Sequence, residues 1–229
     1  MDGDRQEDAA KIRAAFYVDG FNLYHAIEEL QQPHLKWISY WKLASLLIPQ
    51  RSQELVSVTW CTAYYPGDER KKWRHEQLVG AQKCHNVTVV RGHFVYEDRD
   101  CRGCKREWQH PTEKEGDINV ALNLMCDAFA DRYDHAYLIS ADSDQAATLR
   151  AFRREFPGKF ITQVVPPGRK RSEHLDGLAT HDSIRLNENH LERAVMPPVV
   201  FKPQVANVRR PREYEPPKDW VHPDERPKK

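Results

Sequence analysis

The sequence predicts an α/β protein whose central sheet is mostly parallel, with helices on both faces. Short strand-like runs alternate with segments of helical spacing along most of the chain. One buried apolar strand, at 136–140, leads directly into closely spaced carboxylates. At 229 residues and 40% hydrophobic, the chain is large enough for one sizeable α/β domain with appendages.

Residues 1–13 read as a disordered lead-in. The run 14–18 is apolar and ends in Asp19-Gly20, a strand followed by a turn. Leu23, Ile27 and Leu30 give helical spacing over 22–31, and Leu43, Leu46 and Leu47 mark a helix over 39–48. Residues 54–63 are rich in β-branched side chains and predict a strand. A charged helix follows at 68–84, then one strand at 86–96 and an insertion at 97–112. In the next helix, 117–131, Ile118, Ala121, Leu122, Met125, Ala128 and Phe129 fall on one face, which predicts that this face is buried. The strand at 136–140, a helix at 144–155 and a strand at 160–165 complete the alternation. A short helical piece, 172–178, and a compact segment, 183–195, end the domain. From Met196 onward the character changes, with eight of the fifteen prolines among Lys, Arg and Glu. The tail at 198–229 is expected to be disordered or extended against the domain.

Net charge is +1, so bulk charge does not bind nucleic acid and any such site is a local basic patch. No apolar run approaches the roughly 20 residues of a membrane span. Residues 1–13 carry no apolar signal core. A soluble, cytoplasmic protein that makes no membrane contact is the expectation. Five cysteines, an odd count, fit a reducing compartment better than a disulfide framework.

The chemistry concentrates in carboxylates. Ala136-Tyr-Leu-Ile-Ser140-Ala-Asp142-Ser-Asp144 places two aspartates at a strand end. Two negative charges this close repel, and a fold that keeps them there usually holds a cation. Hard oxygen ligands suit Mg²⁺ or Mn²⁺. The bland alternative is an acidic loop in which Ser143 or Asp144 caps a helix. In open α/β sheets ligands gather at the C-terminal strand ends. Asp19 ends one strand and Asp117 opens a helix, so three distant segments can bring acids to one edge. Asp117 also fits a helix N-terminus by its charge alone. Asp127 lies ten residues further along, about 15 Å away on a helix, and is a poor candidate. Asn22 either holds Asp19 or a water, or caps the next helix. Lys114 either offsets charge and meets a phosphate, or is a solvated lysine.

Three motifs occur in order: Phe16-Tyr-Val-Asp19-Gly-Phe-Asn22-Leu-Tyr24, Glu113-Lys114-x-x-Asp117-Ile-Asn-Val-Ala-Leu and Ser140-Ala-Asp142-Ser-Asp144. Together they resemble the NYN domain family, PIN-like metal-dependent ribonucleases, in its LabA-like branch. The likeness covers about 14–197, the expected nuclease domain. It implies a PIN-like, Rossmannoid three-layer fold. Asp19, Asp117, Asp142 and Asp144 then map onto the family's metal-binding acids, Asn22 onto its first-strand asparagine, and Lys114 onto its lysine before the acid. Relatives usually carry Gly at Ala141 and an apolar residue at Gln145, which puts the packing beneath the site in question.

A phosphodiester resists anionic attack. Divalent ions activate water, screen the phosphate and stabilise the leaving oxygen. Substrate contacts would be basic: Arg169, Lys170 and Arg171 follow a strand on the proposed side, and Arg70–Arg74 lie on the charged helix. Either cluster can instead be a solvated face. Cys101-Arg-Gly-Cys104 has the spacing of half a zinc knuckle. His93 and His110 flank it as the nearest further ligands, with Cys84 and His85 beyond, and a surface hairpin with free thiols is the alternative. Cys61 and Cys126 sit in apolar stretches and are expected in the core. With the resemblance, these residues imply a Mg²⁺- or Mn²⁺-dependent ribonuclease whose partner is RNA, and a structural Zn²⁺ at the cysteine pair is a further expectation. A catalytically weak or inactive PIN-like protein that binds RNA or serves regulation is the alternative. A phosphatase with an aspartate nucleophile would want D-x-D where Asp19-Gly-Phe stands. A homodimer is left open.

Overall fold

The computed structural model describes residues 10–170, 172–175 and 177–227. Most of the expected disordered lead-in, 1–9, lies outside them; Ile12 and Arg13 already belong to the first strand. In chain order the first half comprises β1 (Ile12–Asp19), α1 (Gly20–Glu29), α2 (Tyr40–Leu47), β2 (Gln53–Thr62), α3 (Glu69–Cys84), β3 (Thr88–Arg91) and β4 (His93–Asp100). It continues with β5 (Glu107–Lys114), α4 (Gly116–Phe129), β6 (His135–Ile139), α5 (Gln145–Glu155), β7 (Phe160–Val165) and β8 (Ile184–Arg185). The chain closes with α6 (Glu188–Arg193), β9 (Val199–Lys202) and β10 (Ala206–Arg209).

Six strands form one sheet in the order β3-β2-β1-β6-β7-β8, and every pairing is parallel. β1 is central and fully buried from Ala14 to Val18, which is why it reads as a continuous apolar run. Its side chains alternate between two cores. Phe16 and Val18 pack with Leu23 of α1, Leu43 of α2 and Leu78 of α3. Ala15 and Tyr17 pack with Leu124 of α4 and Leu149 of α5 on the other face. The result is a three-layer Rossmannoid α/β fold. After β3 the chain crosses to the far side of β1, so the strand order reverses between β1 and β6. A crevice forms there at the C-terminal strand ends.

Four expectations need correction. The strand expected over 86–96 is two strands, broken at Gly92. A Cβ on Gly92 would run into the Lys114 carbonyl, so only glycine lets β5 pass this close. β4 then leaves the sheet and pairs antiparallel with β5, making the 97–112 insertion a two-stranded hairpin. Helix α4 buries Val120, Leu124, Asp127 and Ala128, while Ile118, Leu122 and Phe129 are exposed. The helix is apolar on both sides, and the side of Val120, Leu124 and Ala128 faces the core. Cys126, expected in the core, is exposed by the same rotation, whereas Cys61 is buried. The tail is not free chain: β9 and β10 form a hairpin on α3, with Val200 and Val208 buried. A Cβ on Gly80 would sit 2.7 Å from the Val208 methyl, so Gly80 permits that approach. Beyond it Tyr214 is buried, and the Trp220 indole N–H donates to Glu192 at 3.0 Å. No helix among the described residues is long and apolar enough to cross a membrane.

Candidate metal centre

The acidic edge is assembled from three segments. Asp19 ends β1 and is 6% exposed. Its carboxylate caps α1 by accepting from the Asn22 N–H at 3.0 Å, and it accepts from the Ser140 hydroxyl at 2.8 Å. Asp19, and not Asn22, is therefore the helix cap. The Asn22 side-chain oxygen accepts from the Ala141 N–H at 2.9 Å, which ties the β6 loop to α1. Ser140 also accepts from the Asp142 N–H at 3.0 Å, and the Ser140 carbonyl accepts from the buried Gln163 amide at 3.1 Å. The loop that presents Asp142 is thus held from both sides. Asp117 stands in the first turn of α4. Its backbone carbonyl accepts from the Gln145 amide at 3.3 Å, and Gln145 also accepts from Thr148 at 3.1 Å. Gln145 is 1% exposed, and its amide is used in both of these hydrogen bonds.

Ligand oxygens of Asp19, Asp117 and Asp142 lie within 4.8 Å of one another. They line an open cleft of about 480 Å³ with Asn22, Glu113 and Arg169. Burial pushes the Asp19 carboxyl up to about 6, against the pull of its two hydrogen bonds; Asp117 and Asp142 push it further. Burial and the charges of Asp142 and Asp144 raise Asp117 as well. Asp19 and Asp117, both raised by burial and by neighbouring carboxylates, make with Asp142 a site suited to a cation. The donor set is all hard oxygen, which fits Mg²⁺ or Mn²⁺.

Not every expected residue joins them. Asp144 occupies the cap position of α5, is exposed, and lies outside the three-acid group, although its charge reaches Asp117. Lys114 is ion-paired to Glu97 on the neighbouring strand at 2.7 Å and is not part of the cleft wall. Strand alternation sends it to one face of β5 and Glu113 to the other. Arg169 is on the cleft rim, paired with Glu29 at 2.8 Å. Lys170 is exposed, and Arg171 lies outside the described residues. Asp127 is taken up at the far end of α4 by the Tyr17 hydroxyl and by Arg132.

Glu113 was not singled out by the sequence reading. It lines the cleft, and its Oε1 is buried without a hydrogen-bond partner. Burial raises its pKa despite the Gly116 N–H. The sequence gives no signal for it beyond its place beside Lys114, because β5 has no buried face to mark its alternation. Glu115 between them and α4 adopts φ 74°, the left-handed turn that starts the helix.

The expected zinc ligands do not converge. Cys101 follows the last residue of β4, whereas His93 is its first, a separation of roughly 26 Å at 3.3 Å per residue. His93 lies 3.4 Å from Glu115 instead, and His110 pairs with Glu97 partway along the hairpin. Cys84 and His85 are at the end of α3, bonded to Ala206 and Ser39. Among the described residues, no group of three potential ligands includes either hairpin cysteine. Cys101 and Cys104 meet at the hairpin turn, where the Cys104 N–H and thiol and the Gly103 N–H pull the Cys101 pKa down.

No family model matches the chain. It is 23% identical over 208 residues to 6-hydroxy-3-succinoylpyridine 3-monooxygenase from Pseudomonas putida, covering 75% of this chain and 65% of that protein. A crystal structure of a protein of unknown function from Vibrio parahaemolyticus superposes with a TM-score of 0.51 at 19% identity. That match covers 82% of this chain and 98% of the other, and it shows a shared fold.

Proposed function

We propose that the protein is a metal-dependent ribonuclease acting in the cytoplasm. The observation that carries this reading is the approach of Asp19, Asp117 and Asp142 to within 4.8 Å at the floor of an open cleft. Asp19, Asp117 and Asp142 would hold Mg²⁺ or Mn²⁺, with Glu113 beside them. The ion would supply water activation and neutralisation of phosphate charge. Asn22, Ser140 and Gln163 keep the Asp142 loop fixed while substrate charge arrives. Gln145 fixes the first turn of α4 and with it Asp117. Arg169 exchanges Glu29 for a phosphate oxygen, giving affinity without base information.

The name of the Pseudomonas relative supplies a second reading, in which the site takes a small heteroaromatic acid. The observation in its favour is an aromatic pocket next to the acids. The deciding experiment incubates purified protein with labelled single-stranded and structured RNA in Mn²⁺, Mg²⁺ or EDTA. Cleavage in either metal and none in EDTA is expected. Intact RNA in all three, or equal cleavage in EDTA, overturns the nuclease.

A further inference from the structure

A second cavity, of about 450 Å³, adjoins the acidic cleft. The two share Phe21, His25 and Glu113 as a common wall. Its size is that of an ordinary small-molecule site, and its lining is dominated by rings from separate parts of the chain. Tyr65 follows β2 and stands perpendicular to Phe94 of β4, with centroids 5.6 Å apart. Phe94 in turn meets Phe21 of α1 edge-on at 5.7 Å. On the other side, Trp60 of β2 stacks with His75 of α3 at 5.4 Å. Tyr214, delivered by the C-terminal segment, closes the wall. Phe21, Tyr65 and Phe94 are only half-buried, so their faces are available to a ligand.

Charged groups of both signs line the pocket as well: Lys71 and Arg74, and the carboxylates of Glu28 and Glu113. Lys71 lies over the Tyr65 ring at 5.4 Å, and Arg74, one turn further along α3, bonds Glu213 at 2.9 Å. Of the basic run 70–74, these two reach the pocket, while Trp73 points to solvent. His75 is held neutral, because burial depresses it to about 4. The pocket therefore offers ring faces together with two basic side chains, Lys71 and Arg74, beside the carboxylates of Glu28 and Glu113. Aromatic platforms beside basic groups are what single-stranded nucleic acid binds, because every base has a π face and every linkage a negative charge.

We propose that this pocket is a base subsite: it takes one planar nucleobase of an RNA strand whose adjacent phosphate lies over the acidic cleft. The shared wall of Phe21 and Glu113 sets the step from base to phosphate. The inference deepens the nuclease reading and rests on it for the identity of the strand, while the ring-binding chemistry stands on the pocket alone. The same chemistry would admit a free heteroaromatic acid, which the test separates.

The test measures binding of short fluorescent oligoribonucleotides to the full chain by anisotropy, in Ca²⁺ buffer. A single abasic residue is moved along the strand. At one position it should weaken binding by roughly 5- to 100-fold, the range for loss of one base–aromatic stack, with small effects elsewhere. Tyr65→Ala and Phe94→Ala should each abolish that discrimination. Tyr65→Ala alone suffices if Phe94→Ala disturbs the hairpin, and circular dichroism reports folding. Equal losses at all positions, no binding, or discrimination surviving Tyr65→Ala overturns the proposal. Displacement of the oligonucleotide by nicotinate below about 1 mM would assign the pocket to a small heteroaromatic acid and overturn the RNA occupant. Position-specific discrimination in a protein that cleaves nothing in Mn²⁺ would retire the nuclease and leave the subsite standing. Cleavage without discrimination would do the reverse.

Discussion

At the acidic edge, carboxylates from residues 19, 117 and 142 meet within 4.8 Å. At the tip of the β4–β5 hairpin, Cys101 and Cys104 meet each other, and among the described residues neither joins a group of three potential ligands. Both regions carry residue types that bind metals, and both are marked in the sequence by short spacing. The sheet makes the difference. Parallel strands that end together, and a helix that starts beside them, deliver side chains from distant segments to one place. A hairpin that leaves the sheet does the opposite: its two histidines ride on strands running away from the turn. The comparison teaches that short ligand spacing predicts a site when buried elements converge on it.

The largest expected effect separates these regions directly. Asp142→Asn should reduce RNA cleavage by more than about 100-fold, above the loss typical of removing an outer partner of a metal ligand. Cys101→Ser should leave the rate unchanged. Parallel losses in both variants, measured in Mn²⁺, would break the distinction.

Next in size is a pH effect in the metal-free protein. Asp19 has its carboxyl raised from 3.8 to about 6, so the folded state holds the proton more tightly than the unfolded chain does. Stability from this group is fully present below about pH 4 and is lost as pH rises through about 6, by about 3 kcal/mol in all. His75 and His135, both depressed to about 4 by burial, add stability over the same window, so the readout is the difference between the wild type and Asp19→Asn in urea unfolding in EDTA. That difference should decline as pH rises from about 4 through about 6, and a difference that stays flat would contradict the burial argument.

Gln145 sharpens the comparison at the next level, since it holds the first turn of α4 without touching metal. Gln145→Leu should lower Mn²⁺ affinity up to about tenfold with the fold retained, read by calorimetry. The smallest effect belongs to the rim. Arg169→Ala should reduce the salt slope of RNA binding by about one, equally across sequences. An unchanged slope would return Arg169 to its pairing with Glu29.

Much of the acidic edge was legible because buried strands announce themselves and Asp19, Asp142 and Asp144 follow them at once. The separate fates of Asp142 and Asp144 were not, because they depend on the Ser140 turn that directs one inward and leaves the other at a helix start. On α4 Ala128 was expected and is buried, but Val120 and Leu124 were missed because Ile118, Leu122 and Phe129 are as periodic. Periodicity finds a helix and cannot choose between two apolar faces. The hairpin strand β5 reads Glu-Trp-Gln-His-Pro-Thr-Glu-Lys, with no buried face to impose alternation. The tail hid its anchors, Val200, Val208 and Tyr214, among prolines and charges. Glu113 was hidden differently, as an ordinary acid whose meaning depends on which face of β5 it takes.

The central claim is that the three carboxylates hold the ion that drives cleavage, and its most direct test is a paired titration. Mn²⁺ binding, followed by electron paramagnetic resonance, is compared with the Mn²⁺ dependence of RNA cleavage in the wild type and in Asp117→Asn. The account expects the two midpoints to coincide in the wild type and to move together to higher Mn²⁺ in the variant. Cleavage whose Mn²⁺ midpoint stays fixed while binding at the acids weakens would contradict it.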